Sequence, residues 1–193
     1  MTTPPRRLRA DAGRNRANVL DAAVRLFAER GDAVQMAEVA GDAGVGVGTV
    51  YRHFPTRQAL IAAVAEQRFV EILDFARAES AQAPNGREAV RALLSRVGRV
   101  HEEGRTLSGL IESALGDTAP RGEVALALRE LGTTLVDQGR ADGTLREDTT
   151  FDDLYMVVGA LATVARANLG DWRRFVDITL AGLTPRTPAH DPA

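Results

Sequence analysis

The stretch VAGDAGVGVGTVYRHF, residues 39–54, decides the fold. Its apolar and small residues predict two short helices, 36–43 and 47–53, that cross at a tight turn. Ala40 is small where the helices approach each other, and Gly44 stands where the turn requires a positive φ. The residues placed to fill the angle between the helices are Val39, Val45 and Val50. This spacing predicts a helix-turn-helix, whose second helix enters the DNA major groove.

Polar side chains cluster on and beside the second helix. Thr49, Tyr51, Arg52 and His53 carry groups that can bind bases or phosphates. A phosphate can also bind at the start of the next helix, where free backbone N–H groups and Arg57 converge. The spacing alone leaves open a loop between two core helices. A dinucleotide site is disfavoured, because no frame here reads G-x-G-x-x-G and the preceding segment is predicted to be helical.

The flanking sequence predicts a helix on each side of this unit. Upstream, apolar residues recur at spacings of three, four and seven over residues 19–27, and the stripe ends before Gly31. Downstream, Pro55 prevents simple continuation, and Thr56 is placed to cap a long helix toward Ser80. A three-helix unit followed by a long fourth helix is therefore expected.

The rest of the chain also predicts helices, because no run of period-two alternation is flanked by hairpin turns. Residues 83–86 form the clearest break, and residues 141–144 form a turn. The helices expected after the break span residues 87–103, 105–115, 120–138, 150–168 and 171–183. The fold class is therefore all-α.

Charge is unevenly distributed along the chain. The 193 residues contain 24 Lys plus Arg and 26 Asp plus Glu, for a formal net charge of −2. Residues 1–57 hold nine Arg against six acids (+3), and residues 58–193 hold fifteen Arg against twenty acids (−5). The N-terminal part is thus the basic one, as contact with phosphates requires.

Composition excludes several classes of enzyme. All 24 basic residues are Arg, so the chain cannot form a lysine Schiff base or complete a Walker phosphate loop. It has no Cys, and its three His lack metal-ligand spacing. We therefore expect no enzyme activity, no metal and no cofactor. The longest uncharged apolar run, 154–165, is shorter than the roughly 20 residues of a membrane span, so we expect a cytoplasmic protein without a membrane partner.

Two segments, with the residues around them, resemble the DNA-binding domain of the TetR/AcrR family of transcriptional repressors. They are VLDAAVRLFAERG at residues 19–31 and the stretch at 39–54, followed by Pro55 and a cation two positions later. The resemblance covers residues 14–60, and Arg57 stands where the family usually has Lys. It implies that Val47, Gly48 and Thr49 face bases or the groove, and that Tyr51 and His53 bind phosphate.

Two positions depart from the family's pattern. This chain has Gln35 and Gly46 where the family commonly has Ser or Thr opening the second helix and the recognition helix. Gly as a helix cap costs only a few tenths of a kcal/mol, so the fold should survive. Gln35, Arg52 and Arg57 complete the set of candidate DNA contacts, and Arg57 keeps the positive charge in a forked geometry.

A basic run precedes the first of these helices. Its members are Arg6, Arg7, Arg9, Arg14 and Arg16. Residues 1–13 are expected to form a disordered arm. The arm either reaches a minor groove or supplies generic attraction to DNA.

The helix after residue 86 carries the clearest candidate for a ligand site. His101 shares a face with apolar residues, so it either binds a ligand or is a core histidine satisfied by a neighbour. Glu112 is either a second polar group of the site or part of a solvated face. The residues expected to line the pocket are Val90, Leu94, Val97, His101, Leu110, Glu112 and Leu126.

The last two helices predict a homodimer interface. One short recognition helix reads only a few base pairs, so specificity requires two half-sites and a two-fold protein. The segment 154–164 is apolar on more than one face, and a four-helix bundle across the axis would bury it. The expected interface residues are Leu154, Val158, Leu161, Trp172, Phe175 and Val176.

Together these patterns predict an N-terminal three-helix DNA-binding domain joined by a long fourth helix to a helical domain for ligand binding and dimerisation. The expected boundaries are an arm at 1–13, the DNA-binding domain at 14–57, the second domain at 58–183 and a disordered tail at 184–193. The expected function is a homodimeric repressor that binds a palindromic double-stranded DNA operator and is released by a small, largely apolar effector. The alternatives are an activator of the same fold and a helical protein-interaction module that does not bind DNA.

Overall fold

The structure, a computed structural model, describes the backbone of residues 5–185 and the side chains of residues 13–185. Over that range the chain forms helices and no strand, which confirms the all-α class. The helices are α1 (Pro5–Arg30), α2 (Met36–Asp42), α3 (Val47–His53), α4 (Arg57–Ser80), α5 (Gly86–Glu103), α6 (Arg105–Leu115), α7 (Gly122–Ala141), α8 (Phe151–Ala167) and α9 (Trp172–Leu183), with a 3₁₀ turn at Gly31–Ala33.

Glycine, proline and capping residues set the helix boundaries. Gly31 (φ 55°) follows the last residue of α1, and Gly44 (φ 67°) lies in the turn between α2 and α3, where a positive φ is predicted. The hydroxyl of Thr56 accepts a hydrogen bond from the backbone N–H of Ala59 at 3.0 Å, so its predicted role as a cap is confirmed. Helices α3 and α6 have the predicted bounds.

The N-terminus of α1 differs from the prediction. Helix α1 begins at Pro5, so the predicted disordered arm is wrong for residues 5–13. Proline is favoured in the first turn of a helix, and the Arg, Leu and Ala that follow are good helix formers. Residues 1–4 lie outside the described residues. So does the predicted tail beyond Pro185.

The chain folds into two compact units whose limits differ from the predicted boundaries. The first unit comprises residues up to Arg68 together with 104–120, and the second comprises 69–103 and the residues from Arg121 onward. Helix α6 therefore belongs to the first unit. Its buried residues Leu107, Leu110 and Ile111 join the core of that unit, an association with α1 that chain order does not reveal.

The core of the first unit is built by the helices that present the helix-turn-helix. Phe27 of α1 and Leu60 of α4 are fully buried in it, with Val39 and Val50 from the two crossed helices. Two hydrogen bonds join α4 to α6: Gln58 Nε2 donates to Ala114 O at 2.9 Å, and Arg68 Nη1 donates to Ser108 Oγ at 2.8 Å. The start of α4 is thus fixed within the unit that carries α3.

In the second unit, α5 packs against α7, α8 and α9. Gly86, at the start of α5, approaches α7 so closely that an added Cβ would lie 2.2 Å from the backbone nitrogen of Gly139. The same helix start is capped from the loop after α7, because the backbone N–H of Gly86 donates to Asp142 Oδ2 at 2.7 Å. These contacts tie the α7–α8 connection to α5.

No helix within residues 5–185 combines the length and the hydropathy that crossing a bilayer requires.

Candidate nucleic-acid interface

Helices α2 and α3 cross at a tight turn that small and branched residues fill. Val39 and Val50 are fully buried, Ala40 is nearly so, and Val45 is half-buried against the same core. The backbone N–H of Val45 donates to Ala40 O at 3.0 Å, which closes the turn after Gly44. The predicted helix-turn-helix packing is therefore confirmed residue by residue.

One face of α3 is open to solvent. It carries Val47, Gly48, Tyr51 and Arg52, which are spaced so that they project from one side of a two-turn helix. Val47 and Tyr51 are 45% and 47% exposed. Among the described residues, apart from its chain neighbours and the nearby backbone of α3, nothing lies within 4 Å of a Cβ added at Gly48. The backbone of α3 can therefore be approached closely from outside.

Two further predicted contacts flank this face. Thr49 and His53 are half-buried, at either edge of the exposed residues. The structure thus brings together all six predicted contacts that belong to α3. Gln35 lies separately, at the start of α2, where its backbone N–H donates to Glu38 Oε2 at 2.7 Å. Its side chain is exposed.

Carboxylates near α3 are neutralised by arginines of the same unit. Asp42 pairs with Arg25 at 2.6 Å. Glu38 pairs with Arg30 at 2.8 Å, and the pKa of Glu38 lies below its ordinary value because its carboxylate accepts the backbone N–H of Gln35 and faces Arg30.

The α3 helix itself carries only positive charge. It contains no acidic residue, and its last turn contains Arg52 and His53. Arg52 is exposed and has no carboxylate partner within the described side chains. Arg16 of α1 lies over the ring of Phe54, 5.1 Å from its centroid, immediately after α3. Arg52 on the exposed face and Arg16 beside it therefore carry positive charge that no carboxylate among the described side chains neutralises.

Arg57 makes contacts within the chain that the sequence did not predict. Its Nη2 donates to Asp32 O at 3.0 Å and to Val34 O at 3.2 Å, and its Nη1 pairs with Asp32 Oδ1 at 3.1 Å. The guanidinium also lies 5.2 Å from the centroid of the Phe27 ring. Arg57 therefore holds the start of α4 against the α1–α2 connection. Its predicted contact with phosphate stays a prediction.

Comparison with known proteins identifies the family from both parts of the chain. Residues 19–64 match the family described as bacterial regulatory proteins, tetR family, and residues 88–185 match the C-terminal domain of SbtR-like transcriptional regulators. The chain belongs to the TetR family. It is a DNA-binding transcriptional regulator, and TetR-family regulators are not enzymes.

Individual relatives agree with this assignment. A TetR transcription regulatory protein from Mycobacterium vanbaalenii is 33% identical, with a TM-score of 0.64 over 92% of this chain and 99% of that one. The TetR regulator SCO0520 from Streptomyces coelicolor is 30% identical, with the same TM-score over 89% and 99% of the two chains. The HTH-type transcriptional regulator SAR0097 from Staphylococcus aureus is 33% identical over 56% of this chain, and the match spans 59% of that relative's length.

The predicted ligand pocket of this TetR-family regulator is only partly assembled. Val90, Leu94, Val97 and His101 are buried together on one face of α5 in the second unit. Leu110 is wrong as a lining residue, because it packs in the core of the first unit. Glu112 is exposed on α6. Leu126 is 69% exposed, since it lies about 200° around α7 from the buried Val124.

Four of the residues predicted to lie in the dimer interface are buried within a single chain. They are Leu154, Leu161, Trp172 and Val176, all of which lie in the core of the second unit. Val158 and Phe175 are half-buried against that core. The predicted interface residues of α8 lie on its more apolar face, and the other helices of the same unit bury that face.

A different face of α8 is exposed. Tyr155 and Met156 are 53% and 67% exposed, and Gly159 and Ala160 follow on the same side. On α9, Ile178 is 57% exposed. The four α8 residues recur at i, i+3 and i+4. This spacing marks a second apolar stripe beside the buried one, and it can be recognised in the sequence.

Proposed function

We propose that this regulator is a homodimeric repressor that binds a palindromic operator through α3 and is released by a small, largely apolar effector. The observation that carries the proposal is the exposed face of α3, where Val47, Gly48, Tyr51 and Arg52 lie together. Apolar groups such as Val47 can contact the methyl group of thymine, and a guanidinium can donate two hydrogen bonds to guanine. Gly48 allows α3 to approach the base edges closely.

Contacts with phosphates would hold α3 in register with the groove. The hydroxyl of Tyr51 and the imidazole of His53 are placed at its exposed side and its C-terminal end. We assign Thr49 to the reading of bases and the Gln35 side chain to a phosphate at the start of α2. The ion pairs of Asp42 with Arg25 and of Glu38 with Arg30 favour this arrangement, because they reduce the repulsion that these carboxylates would exert on phosphates.

The dimer is proposed to form through the second stripe of α8 and the exposed side of α9. The stripe places two large residues one turn before two small ones, so the large residues of one copy can pack against the small residues of the other at close range. Exposed apolar side chains of this size are the feature that a partner surface normally covers. The residues that we place in the interface are Tyr155, Met156, Gly159, Ala160 and Ile178.

The effector is proposed to bind inside the second unit, near the apolar face of α5. That face supplies Val90, Leu94 and Val97, with His101 as a polar group for orientation. A ligand can weaken DNA binding only by preferring a conformation that DNA does not, and DNA must weaken the ligand equally. A coupling of typical size would change operator affinity by about 5- to 150-fold.

DNA binding by the purified full chain tests the central proposal. A gel-shift titration against random duplex at several salt concentrations should show affinity that falls steeply with salt. Tyr51→Ala should weaken binding to all sequences, whereas Thr49→Ala should change which sequences are selected from genomic fragments. A protein-interaction module would show no such salt dependence. A reporter downstream of a selected fragment distinguishes a repressor from an activator by the sign of the response.

A further inference from the structure

Three buried polar groups in the second unit have no hydrogen-bond partner among the described residues. They are the Nε of Arg96, the hydroxyl of Thr149 and the indole Nε1 of Trp172. Within the described side chains of the first unit there is no equivalent. Native proteins rarely leave a buried donor without an acceptor, so each such group needs an explanation.

The indole of Trp172 is held in place by two neighbours. A Cβ added at Gly98 would lie 2.3 Å from Cε3 of the ring, so the indole occupies space that only glycine leaves on α5. The Arg173 guanidinium lies 4.3 Å from the ring centroid and is itself held by Glu102, to which its Nη2 donates at 3.1 Å. Trp172 is 5% exposed. The ring therefore presents its N–H in a fixed direction.

Neither Arg96 nor Thr149 accepts a hydrogen bond from the indole of Trp172. Arg96 lies about 200° around α5 from Gly98, and its guanidinium is stacked over Phe75, 4.8 Å from the ring centroid. A second copy of the chain cannot supply the acceptor at its surface, because Nε1 is already hidden from solvent within a single chain. An effector that binds in the interior of the second unit would supply the missing acceptor.

We propose that Trp172 Nε1 is the hydrogen-bond donor that anchors the effector, and that the effector is an apolar molecule carrying a carbonyl oxygen. The inference rests on the proposed binding of an effector by the second unit. The neighbouring Val97 and Val176 are buried and apolar, so they favour a hydrocarbon body over a polyol or a cation. His101, three residues after Gly98 on the same face of α5, is the second buried polar side chain there.

The chain offers a direct reporter, because Trp172 is its only tryptophan. Its indole N–H gives a single cross-peak in a ¹H–¹⁵N NMR spectrum of the full chain. The probes are acetophenone and 2-nonanone, each paired with the methylidene hydrocarbon of the same shape, α-methylstyrene and 2-methyl-1-nonene. A ketone should move the resonance downfield and bind about 3- to 10-fold more tightly than its hydrocarbon partner, the effect of one neutral hydrogen bond.

Two variants test whether the indole N–H of Trp172 causes the preference for ketones. Trp172→Phe keeps an aromatic ring over Gly98 but removes the donor, so it should abolish the preference for ketones. Thr149→Val removes the other neutral unpartnered group and should keep the preference. The inference is overturned if neither ketone moves the resonance, or if Trp172→Phe still prefers ketones. If the protein still binds DNA in a salt-dependent way in either case, the proposed DNA-binding function stands and only the role of Trp172 is lost.

Discussion

At the residue scale, Arg57 combines a positive charge with a forked geometry, and the two properties can be separated. Arg57→Lys keeps the charge but replaces two donor nitrogens by one, so it cannot keep the Nη2 bonds to Asp32 O and Val34 O together with the Nη1 pair to Asp32 Oδ1. We expect the free energy of unfolding to fall by about 1 kcal/mol, the worth of a typical hydrogen bond. The slope of DNA affinity against salt should stay unchanged, because the charge is kept. Thermal unfolding and a salt titration of a gel shift measure the two effects.

Arg52→Lys is the matched control for this prediction. Arg52 is exposed and has no carboxylate partner within the described side chains, so its replacement should not alter stability. If Arg57→Lys were as stable as the original chain yet bound DNA more weakly, Arg57 would act on phosphate and not as a tie within the first unit.

Gly48 allows a contact at the DNA surface to be tested without disturbing the fold. A Cβ at Gly48 or at Gly41 meets nothing within 4 Å, and both residues lie in helices. Either substitution by Ala should therefore raise the free energy of unfolding by about 0.5–1 kcal/mol. Only Gly48→Ala should weaken operator binding, because only α3 is proposed to enter the groove. Equal DNA affinity of the two variants would place the α3 backbone away from the bases.

Residue roles differ in how far the sequence reveals them. Gly44 and Thr56 act on the backbone beside them, so a local pattern predicts both the positive φ and the cap. Arg57 acts on carbonyl groups of residues 32 and 34, more than twenty positions away along the chain. Such a partner is defined only once α1, α2 and α4 have packed.

At the scale of elements, the start of α5 depends on a close approach between two backbones. A Cβ at Gly86 would lie 2.2 Å from the backbone nitrogen of Gly139, which cannot move as a flexible side chain can. We expect Gly86→Ala to lower the free energy of unfolding by about 1–3 kcal/mol through overpacking. Gly109→Ala, in α6 with nothing within 4 Å, should instead be neutral or stabilising. Chemical denaturation of both variants measures the difference, and equal stability would contradict the close packing.

The same helix start gives the stability a dependence on pH. The pKa of Asp142 lies below its ordinary value, because its carboxylate accepts hydrogen bonds from the Thr144 hydroxyl and from the backbone N–H of Gly86. A lowered pKa means that the stabilisation is complete above the ordinary pKa of 3.8 and is lost as pH falls through the folded value. Asp142→Asn should therefore melt at a lower temperature than the original chain at pH 7.

The test of this pH dependence is a series of melting curves for both proteins from pH 7 to pH 2. Their melting temperatures should converge in the acidic range, where Asp142 is protonated in the original chain as well. A difference that stayed constant across that range would assign the effect of the substitution to its shape and not to its charge.

The sequence predicts where helices lie better than it predicts which face of a helix is buried. The bounds of α3 follow from the Gly residues before it and Pro55 after it, which act locally. The inward face of α8 does not, because two adjacent stripes of the helix are apolar and periodicity cannot choose between them. The structure buries Leu154 and Leu161 and leaves Tyr155 and Met156 exposed.

At the scale of the whole molecule, the order of helices along the chain is not the order of units. The fold class and the position of the DNA-binding unit follow from local patterns, but α6 joins the first unit although α5 precedes it. Leu110 was therefore assigned to the wrong core. The sequence of an amphipathic helix shows which of its faces is apolar, but it does not show which of two cores that face packs into.

Assembly is the last property to be tested at this scale, and Met156 and Leu126 provide a matched pair. They are 67% and 69% exposed, on α8 and α7 respectively. Placing a charge in an apolar interface leaves it buried without a partner, whereas the same charge on a free surface stays in water. We expect light scattering to give about twice the chain mass of 20.7 kDa for the original protein and for Leu126→Glu, and about the chain mass itself for Met156→Glu.

The consequence for DNA follows from the need for two half-sites. A monomer contacts one half-site with a seven-residue α3, so Met156→Glu should bind a palindromic operator far more weakly although its α3 is unchanged. Its affinity for a single half-site should equal that of one subunit of the original dimer, because no contact with DNA has been altered. Gel shifts on a palindrome and on a half-site compare the two. A Met156→Glu protein that remained dimeric, or that bound the palindrome as the original does, would move the interface away from α8 and require another surface to bring the two α3 helices to one operator.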